Sequence, residues 1–144
     1  MRFSVVPAAY VLLRRDGRVL LHLRRNTGYR DDHWALVAGH VEHGESVLEA
    51  AVREAAEEAG VRVATADLVP LCTVHRTLRG GGAIDQRADF FLAARTWEGE
   101  PRIMEPDKIE SWEWHDMDDL PSPLFGVIDN YVEAYKTGRV YFDD

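Results

Sequence analysis

Apolar residues cluster in strand-length runs along the chain, and twice the spacing changes to that of a helix. Residues 5–13 are apolar and partly β-branched, and residues 19–23 are apolar again. Asp16-Gly17 lies between them as a turn signal, so the pair predicts a β-hairpin. Residues 26–32 are polar around Gly28 and predict a loop. The short run at 34–38, ending at Gly39, predicts one buried strand. Further strands are predicted at 68–74 and 88–94, joined across a mobile Gly80-Gly81-Gly82 loop, and at 112–115.

The first helical stretch opens with Ser46 and Glu49, which match a capping box, and Gly60 sits where a C-terminal stop belongs. Val47, Leu48, Ala51, Val52, Ala55 and Ala59 fall on one apolar face between them. The second stretch is predicted to start with Ser122 as N-cap and Pro123 as first helical residue. Leu124, Ile128, Tyr131, Val132 and Tyr135 then give its apolar stripe, stopped near Gly138. Mixed strands with two separated helices predict an α/β or α+β layer fold.

At 144 residues with 46% apolar and 10% aromatic content, the chain is expected to be one domain, 1–144, with a core that needs no disulfides. The lone Cys72 has no partner for an internal disulfide or a thiolate zinc site. Met1-Arg2-Phe3-Ser4 leads into apolar residues broken by Pro7, without a clean apolar core and small-residue cleavage site, so no secretory leader is expected, and no apolar run is long enough to span a bilayer. A soluble, cytoplasmic protein without membrane contact is expected. The net charge of −8 argues against stable nucleic acid binding by phosphate neutralisation.

The chemistry signal lies on the first helix. At about 100° per residue, Glu54, Glu57 and Glu58 fall on one arc. As i,i+3 and i,i+4 neighbours they repel, and they occupy the last turns, where the macrodipole disfavours anions. A divalent cation would relieve both, and oxygen-only ligands suit Mg²⁺ or Mn²⁺ above zinc. The competing reading is a solvated acidic face on an acidic protein. The surrounding spacing decides between them: from Gly39 to Val61 the chain reads G-x5-E-x7-R-E-A-x-E-E-x-G-V, placing Gly39, Glu45, Arg53, Glu54, Glu57, Glu58 and Gly60.

That stretch resembles the Nudix box, G-x5-E-x7-R-E-U-x-E-E-x-G-U with U a bulky aliphatic. Every polar and glycine position is filled, and Ala55 replaces one aliphatic. The resemblance implies an α/β/α sandwich with a mixed sheet between helices, and hydrolysis of a nucleoside diphosphate linked to a further group. By position, Glu54, Glu57 and Glu58 would hold the metal, with a backbone carbonyl at Ala38 or Gly39 adding a ligand. Glu54 or Glu57 is the candidate general base. Arg53 and Glu45 would form an ion pair fixing the loop to the helix, and Gly60 would end it. Gly39 and Gly44 would let the loop approach phosphates, and His40 and His43 are candidates to touch them.

Glu105-Pro106-Asp107-Lys108, then Glu110-Ser111-Trp112-Glu113-Trp114, then Asp119-Leu120-Pro121, are similar to the MutT-type branch acting on purine nucleoside triphosphates. Glu110 is a candidate further metal carboxylate. Val37-Ala38-Gly39 departs from the Pro-Gly-Gly of many triphosphate-cleaving relatives. The expectation is therefore a Mg²⁺-dependent pyrophosphohydrolase giving a monophosphate and pyrophosphate from a small nucleotide. ADP-ribose or a similar compound is the alternative substrate. A nucleotide-binding sensor with little turnover, or a structural Ca²⁺-binding helix, are the alternatives of another class. One ring from Trp34, Phe90, Phe91, Trp112 or Trp114 could stack the base. Exposed sheet edges and Trp-rich strands leave room for a homodimer.

Overall fold

The hairpin forms between β1 (Val6–Arg15) and β2 (Arg18–Arg24), where Asp16 and Gly17 both take positive φ, 52° and 75°, as a tight two-residue turn demands. The computed structural model describes residues 3–126 and 128–143; the Met1-Arg2 start and position 127, within the expected second helix, lie outside the described residues. The remaining elements are β3 (Trp34–Ala35), β4 (Val37–His40), α1 (Val47–Ala59), β5 (Leu68–Thr77), β6 (Gln86–Ala94), β7 (Ile109–Asp116), α2 (Ile128–Thr137) and β8 (Tyr141–Asp143).

β1 organises the sheet. It runs antiparallel to β4 on one side and parallel to β6 on the other, and its last two residues pair with β2. β5 joins β6 antiparallel, β8 joins β5 parallel, and β2 carries β3 and β7. Alternate β1 side chains feed opposite cores. Tyr10 and Leu12 pack with Val74, Phe91 and the α2 residues Ile128 and Tyr131. Ala9, Val11 and Leu13 pack with Leu92 and with Ala51 and Ala55 of α1. A helix therefore covers each face of a mixed sheet, which is the expected α/β/α sandwich. Burial on both faces explains why β1 reads as a continuous apolar run and not as an alternation.

α1 follows its sequence signals closely. The Ser46 hydroxyl accepts the Glu49 N–H at 3.1 Å, the Glu49 carboxylate accepts the Ser46 N–H at 3.0 Å, and Gly60 ends the helix at φ 68°. Its fully buried stripe is alanine alone, Ala50, Ala51, Ala55 and Ala59, with Val47, Leu48 and Val52 packing partly buried beside it.

Two expectations are corrected. Residues 34–38 are not one strand. β3 pairs with β2 and β4 with β1, and Leu36 between them turns its carbonyl to accept the buried His22 Nε2–H at 3.1 Å. The second helix does not start at Ser122-Pro123. The Pro123 carbonyl accepts the Trp34 N–H and the Phe125 N–H donates to the Trp34 carbonyl, both at 2.9 Å, so Leu124 bridges to Trp34 and the helix runs from Ile128. Gly80-Gly81-Gly82 does lie in the connection between β5 and β6, and a short 3-10 turn at Ala83–Asp85 follows it, where the Asp85 carboxylate accepts the Gly82 N–H at 2.9 Å. β8, of three residues with only Phe142 buried, lacks the length for a strand pattern.

Candidate functional site

α1 packs against β4 and β1, which brings its polar side to the backbone of residues 38–40. Arg53 is the hub there. Its guanidinium grips Glu45 with two bonds, Nε to Oε2 at 2.8 Å and Nη2 to Oε1 at 3.0 Å. It also reaches Glu54 Oε1 at 2.7 Å, Glu57 Oε2 at 3.2 Å and the His40 carbonyl at 3.1 Å. One cation thus ties the loop after β4 to two turns of the helix. The Arg53 bonds, helped by the Glu42 N–H, hold the Glu45 carboxyl down to about 2, and the bonds to Glu45 and Glu54 raise Arg53 further above its already high value.

Glu54 and Glu58 meet one turn apart. Glu58 Oε2 accepts the Ala38 N–H at 3.1 Å, and the Glu54 carboxylate lies so close over Gly39 that a Cβ there would collide with it. Burial pushes the Glu58 carboxyl well above the usual range, and its contact with Glu54 pushes it further, against the Ala38 N–H. Two shielded carboxyl groups with oxygen-only donors fit a hard divalent cation, whose charge would offset both penalties. Among the described residues, no three His, Cys, Asp or Glu side chains already converge on one point in ion-holding geometry. Glu57, 56% exposed, is drawn to Arg53. Gly44 turns the exposed loop at φ 83° with open space around it. His40 touches Arg53 through its carbonyl, while its ring senses Arg87 and Asp89 on the sheet.

A cavity of about 290 Å³ opens beside Glu58, lined by His22, Arg24, Thr27, Glu105 and Lys108. A narrower one of about 50 Å³ shares Arg24 and Glu58 and reaches Tyr10, Leu36 and Phe125. The carboxylate brought near Glu58 from outside the helix is therefore Glu105. Glu110 sits exposed at the bulge where β7 shifts register against Leu23 and Arg24. Four of the rings offered for stacking are packed on other side chains. Phe91 is fully buried between Tyr10 and Tyr131, Trp112 packs on His22, Trp114 on Trp97 and Trp34 on His115. Tyr10 and Phe125 line the cavity in their place.

A glycine-led loop, an acidic helix knotted by one arginine and a left-handed glycine stop, set on a mixed sheet between two helices, define the Nudix class. A model of the NUDIX domain matches residues 4–135, and the chain belongs to that family. It is similar to a MutT NUDIX hydrolase from Burkholderia pseudomallei, 30% identical with a TM-score of 0.81, covering 91% of this chain and 98% of that one. A structure of MutT from work on Aliivibrio salmonicida and Vibrio cholerae shares the fold at 20% identity and a TM-score of 0.71, covering 90% and 95%. The NAD-capped RNA hydrolase NudC of Escherichia coli is 27% identical over 118 residues, which cover 82% of this chain and 42% of NudC. The chain thus spans about two fifths of the length of the curated relatives it matches.

Proposed function

We propose that the protein is a divalent-metal-dependent hydrolase of phosphoric anhydride bonds, splitting a purine nucleoside triphosphate between the α and β phosphates to a monophosphate and pyrophosphate. The observation that carries this is the pair of shielded carboxyl groups, Glu54 crowded against Gly39 and Glu58 on the Ala38 N–H, with Arg53 tying Glu54 to Glu57 and Glu45. Glu54, Glu57 and Glu58, with the Gly39 carbonyl, would hold Mg²⁺ or Mn²⁺. Such an ion neutralises phosphate charge and lowers the pKa of bound water.

The chain's own groups supply the rest. Glu54 or Glu57 accepts the proton of the attacking water, since a carboxylate within reach can do so. Arg53 and Glu45 keep the loop and helix in register, so the carboxylates meet the substrate in one arrangement. Gly44 and His40 lie on the loop side where phosphates would approach. Arg24 and Lys108 add positive charge beside Glu58, and Tyr10 with Phe125 gives an apolar wall for the nucleoside. The 30% identity to a MutT NUDIX hydrolase supports the triphosphate reading. Buried, unpaired Cys72 suits a reducing compartment such as the cytoplasm.

The match to NudC favours a second reading, in which ADP-ribose or another nucleoside diphosphate joined to a further group is cut. The test is kcat/KM for dGTP, 8-oxo-dGTP and ADP-ribose at equal concentration, with products identified by mass. Preference for ADP-ribose by about tenfold, or about 1.4 kcal/mol, would replace the triphosphate reading. Nucleotide binding without product from any compound would leave a sensor.

A further inference from the structure

Arg24 lines both cavities beside Glu58, and the loop it begins is what holds it there. The neck of that loop is closed by backbone bonds: the Arg24 N–H donates to the His33 carbonyl at 3.1 Å, and the Asp32 N–H to the Arg24 carbonyl at 2.8 Å. Inside it the Asp31 carboxylate collects donors. Oδ1 accepts the Thr27 N–H at 3.0 Å, and Oδ2 accepts the Gly28 N–H at 3.0 Å. The Thr27 hydroxyl has one proton and two acceptors in reach, and the charged Asp31 Oδ1 at 2.6 Å outcompetes the Tyr29 carbonyl at 2.8 Å. The Thr27 oxygen is then left to accept, and it takes the Tyr29 N–H at 3.1 Å and Arg24 Nη2–H at 3.2 Å. Arg24 Nε–H donates to the Tyr29 carbonyl at 3.1 Å, and the guanidinium lies 5.5 Å from the centre of the Phe125 ring.

The loop is more elaborate than its connection requires. Antiparallel neighbours such as β2 and β3 can be joined by about two to five residues without strain. Here Asn26, Arg30 and Asp32 all take positive φ, 53°, 54° and 62°, which side chains other than glycine resist. Such strain persists where surrounding bonds over-determine the backbone, and Asp31 supplies them. The Thr27 hydroxyl and amide hold the Asp31 carboxyl below its ordinary range, so at neutral pH it is a pure acceptor. The same loop also grips the turn before β7. The Arg25 N–H donates to the Lys108 carbonyl at 2.9 Å, Asn26 Nδ2 to the Asp107 carbonyl at 3.2 Å, and the Arg25 guanidinium to the Pro106 carbonyl. Arg24 on one wall of the cavity and the turn bearing Glu105 and Lys108 on the other thus hang on one frame. A loop that only closed the hairpin would account for the neck and for Asp31. It would not account for a guanidinium that spends two donors on neutral oxygens of the loop and keeps its charge beside Glu58.

We propose that Asp31 is a positioning residue for substrate binding: acting through the Thr27 hydroxyl, it aims the Arg24 guanidinium at the anionic part of the ligand beside Glu58. The inference rests on the nucleotide reading above and deepens it. Asp31 touches no substrate. It turns the Thr27 oxygen into an acceptor for Arg24, and so fixes the plane of a side chain that would otherwise sample many rotamers before it met an anion.

The test compares wild type with Asp31→Ala, Thr27→Val, Arg24→Gln and the Asp31→Ala/Arg24→Gln double variant. Steady-state kinetics with dGTP are run beside calorimetric binding of inorganic pyrophosphate, both with Mg²⁺ present. Asp31→Ala is expected to raise KM and to weaken pyrophosphate binding about tenfold or more, while kcat stays within about threefold. Thr27→Val removes the relaying oxygen but leaves Asp31, and should show the same split. In the Arg24→Gln background Asp31→Ala should add less than about twofold, since the side chain it aims is gone. Asp31→Asn keeps one oxygen for Thr27 and should restore most of the KM. A fall in Tm with KM and pyrophosphate binding unchanged, in Asp31→Ala or in Thr27→Val, overturns the proposal, and so do effects of Asp31→Ala and Arg24→Gln that simply multiply. Pyrophosphate binding indifferent to Arg24→Gln overturns it as well. If pyrophosphate binding depends on Arg24 and Asp31 together while no nucleotide is turned over, the hydrolase reading fails and the positioning role stands.

Discussion

Alanine at position 39 would put a methyl carbon into the space held by the Glu54 carboxylate, with Oε1 and the carboxyl carbon in collision. The backbone there takes no left-handed conformation, so the strain comes from the side chain alone. Glu54 must swing aside and give up its 2.7 Å bond to Arg53. A hydrogen bond to a charged group contributes about 1.5–3 kcal/mol, and Glu54 can recover part of it from solvent, so we expect Gly39→Ala to cost about 1–2 kcal/mol. For a domain of this size that lowers Tm by about 2–8 °C. The loss of turnover should be larger, at least about 100-fold in kcat or about 2.7 kcal/mol, because a proposed metal carboxylate is displaced.

Thermal melts and kcat for Gly39→Ala, Glu54→Ala and the double variant give the cycle. Without the Glu54 carboxylate there is nothing to collide with, so Gly39→Ala should be close to neutral in that background. A coupling of about 1–2 kcal/mol is expected between the two positions, which lie in contact. An equal cost of Gly39→Ala in both backgrounds would refute the reasoning, and so would normal turnover in Gly39→Ala.

Glu57→Gln keeps size and hydrogen bonding, and should lower kcat at least about 100-fold, about 2.7 kcal/mol, with Tm changed little, because weakening the exposed pair with Arg53 offsets the repulsion from Glu54 that is relieved. Near-normal turnover would remove Glu57 from the chemistry. Arg53→Ala should lower both Tm and activity. It should also flatten the acid side of the Tm profile. With the folded carboxyl of Glu45 held down to about 2 from 4.5, its stabilisation is full above pH 4.5 and is lost as pH falls towards 2. An acid profile unchanged in Arg53→Ala would show that the ion pair does not set this dependence. Activity should vanish with EDTA and return with Mg²⁺ or Mn²⁺; undiminished hydrolysis after exhaustive metal removal would exclude the metal reading.

What was legible in the sequence is what local bonds decide. Ser46, Glu49 and Gly60 cap α1 through contacts within a few residues, so the helix appears at its expected ends. The spacing that sets Arg53 against Glu45 and beside Glu54 and Glu57 is likewise local to one loop and two helical turns. The cavity is a different case. Glu105, in the turn before β7, reaches the neighbourhood of Glu58, while Glu110 sits at the bulge where β7 slips register against Leu23 and Arg24, a feature of strand pairing that no run of residues announces. Residues 34–38 split because two different strands claim the two ends of one apolar run. Asp89 did leave a trace. It is a charge in an apolar strand with the same parity as the core residue Phe91, and so points inward, but its partner Arg76 comes from the neighbouring strand.

On α1, Glu54, Glu57 and Glu58 crowd the negative end of the helix macrodipole, with no basic residue in the last turn and one guanidinium already committed to Glu45. That crowding does not help the fold, since it adds repulsion that neutral side chains would avoid. In the proposed reading a metal-bound phosphate chain answers it, so the local rules broken on the helix are broken for a ligand.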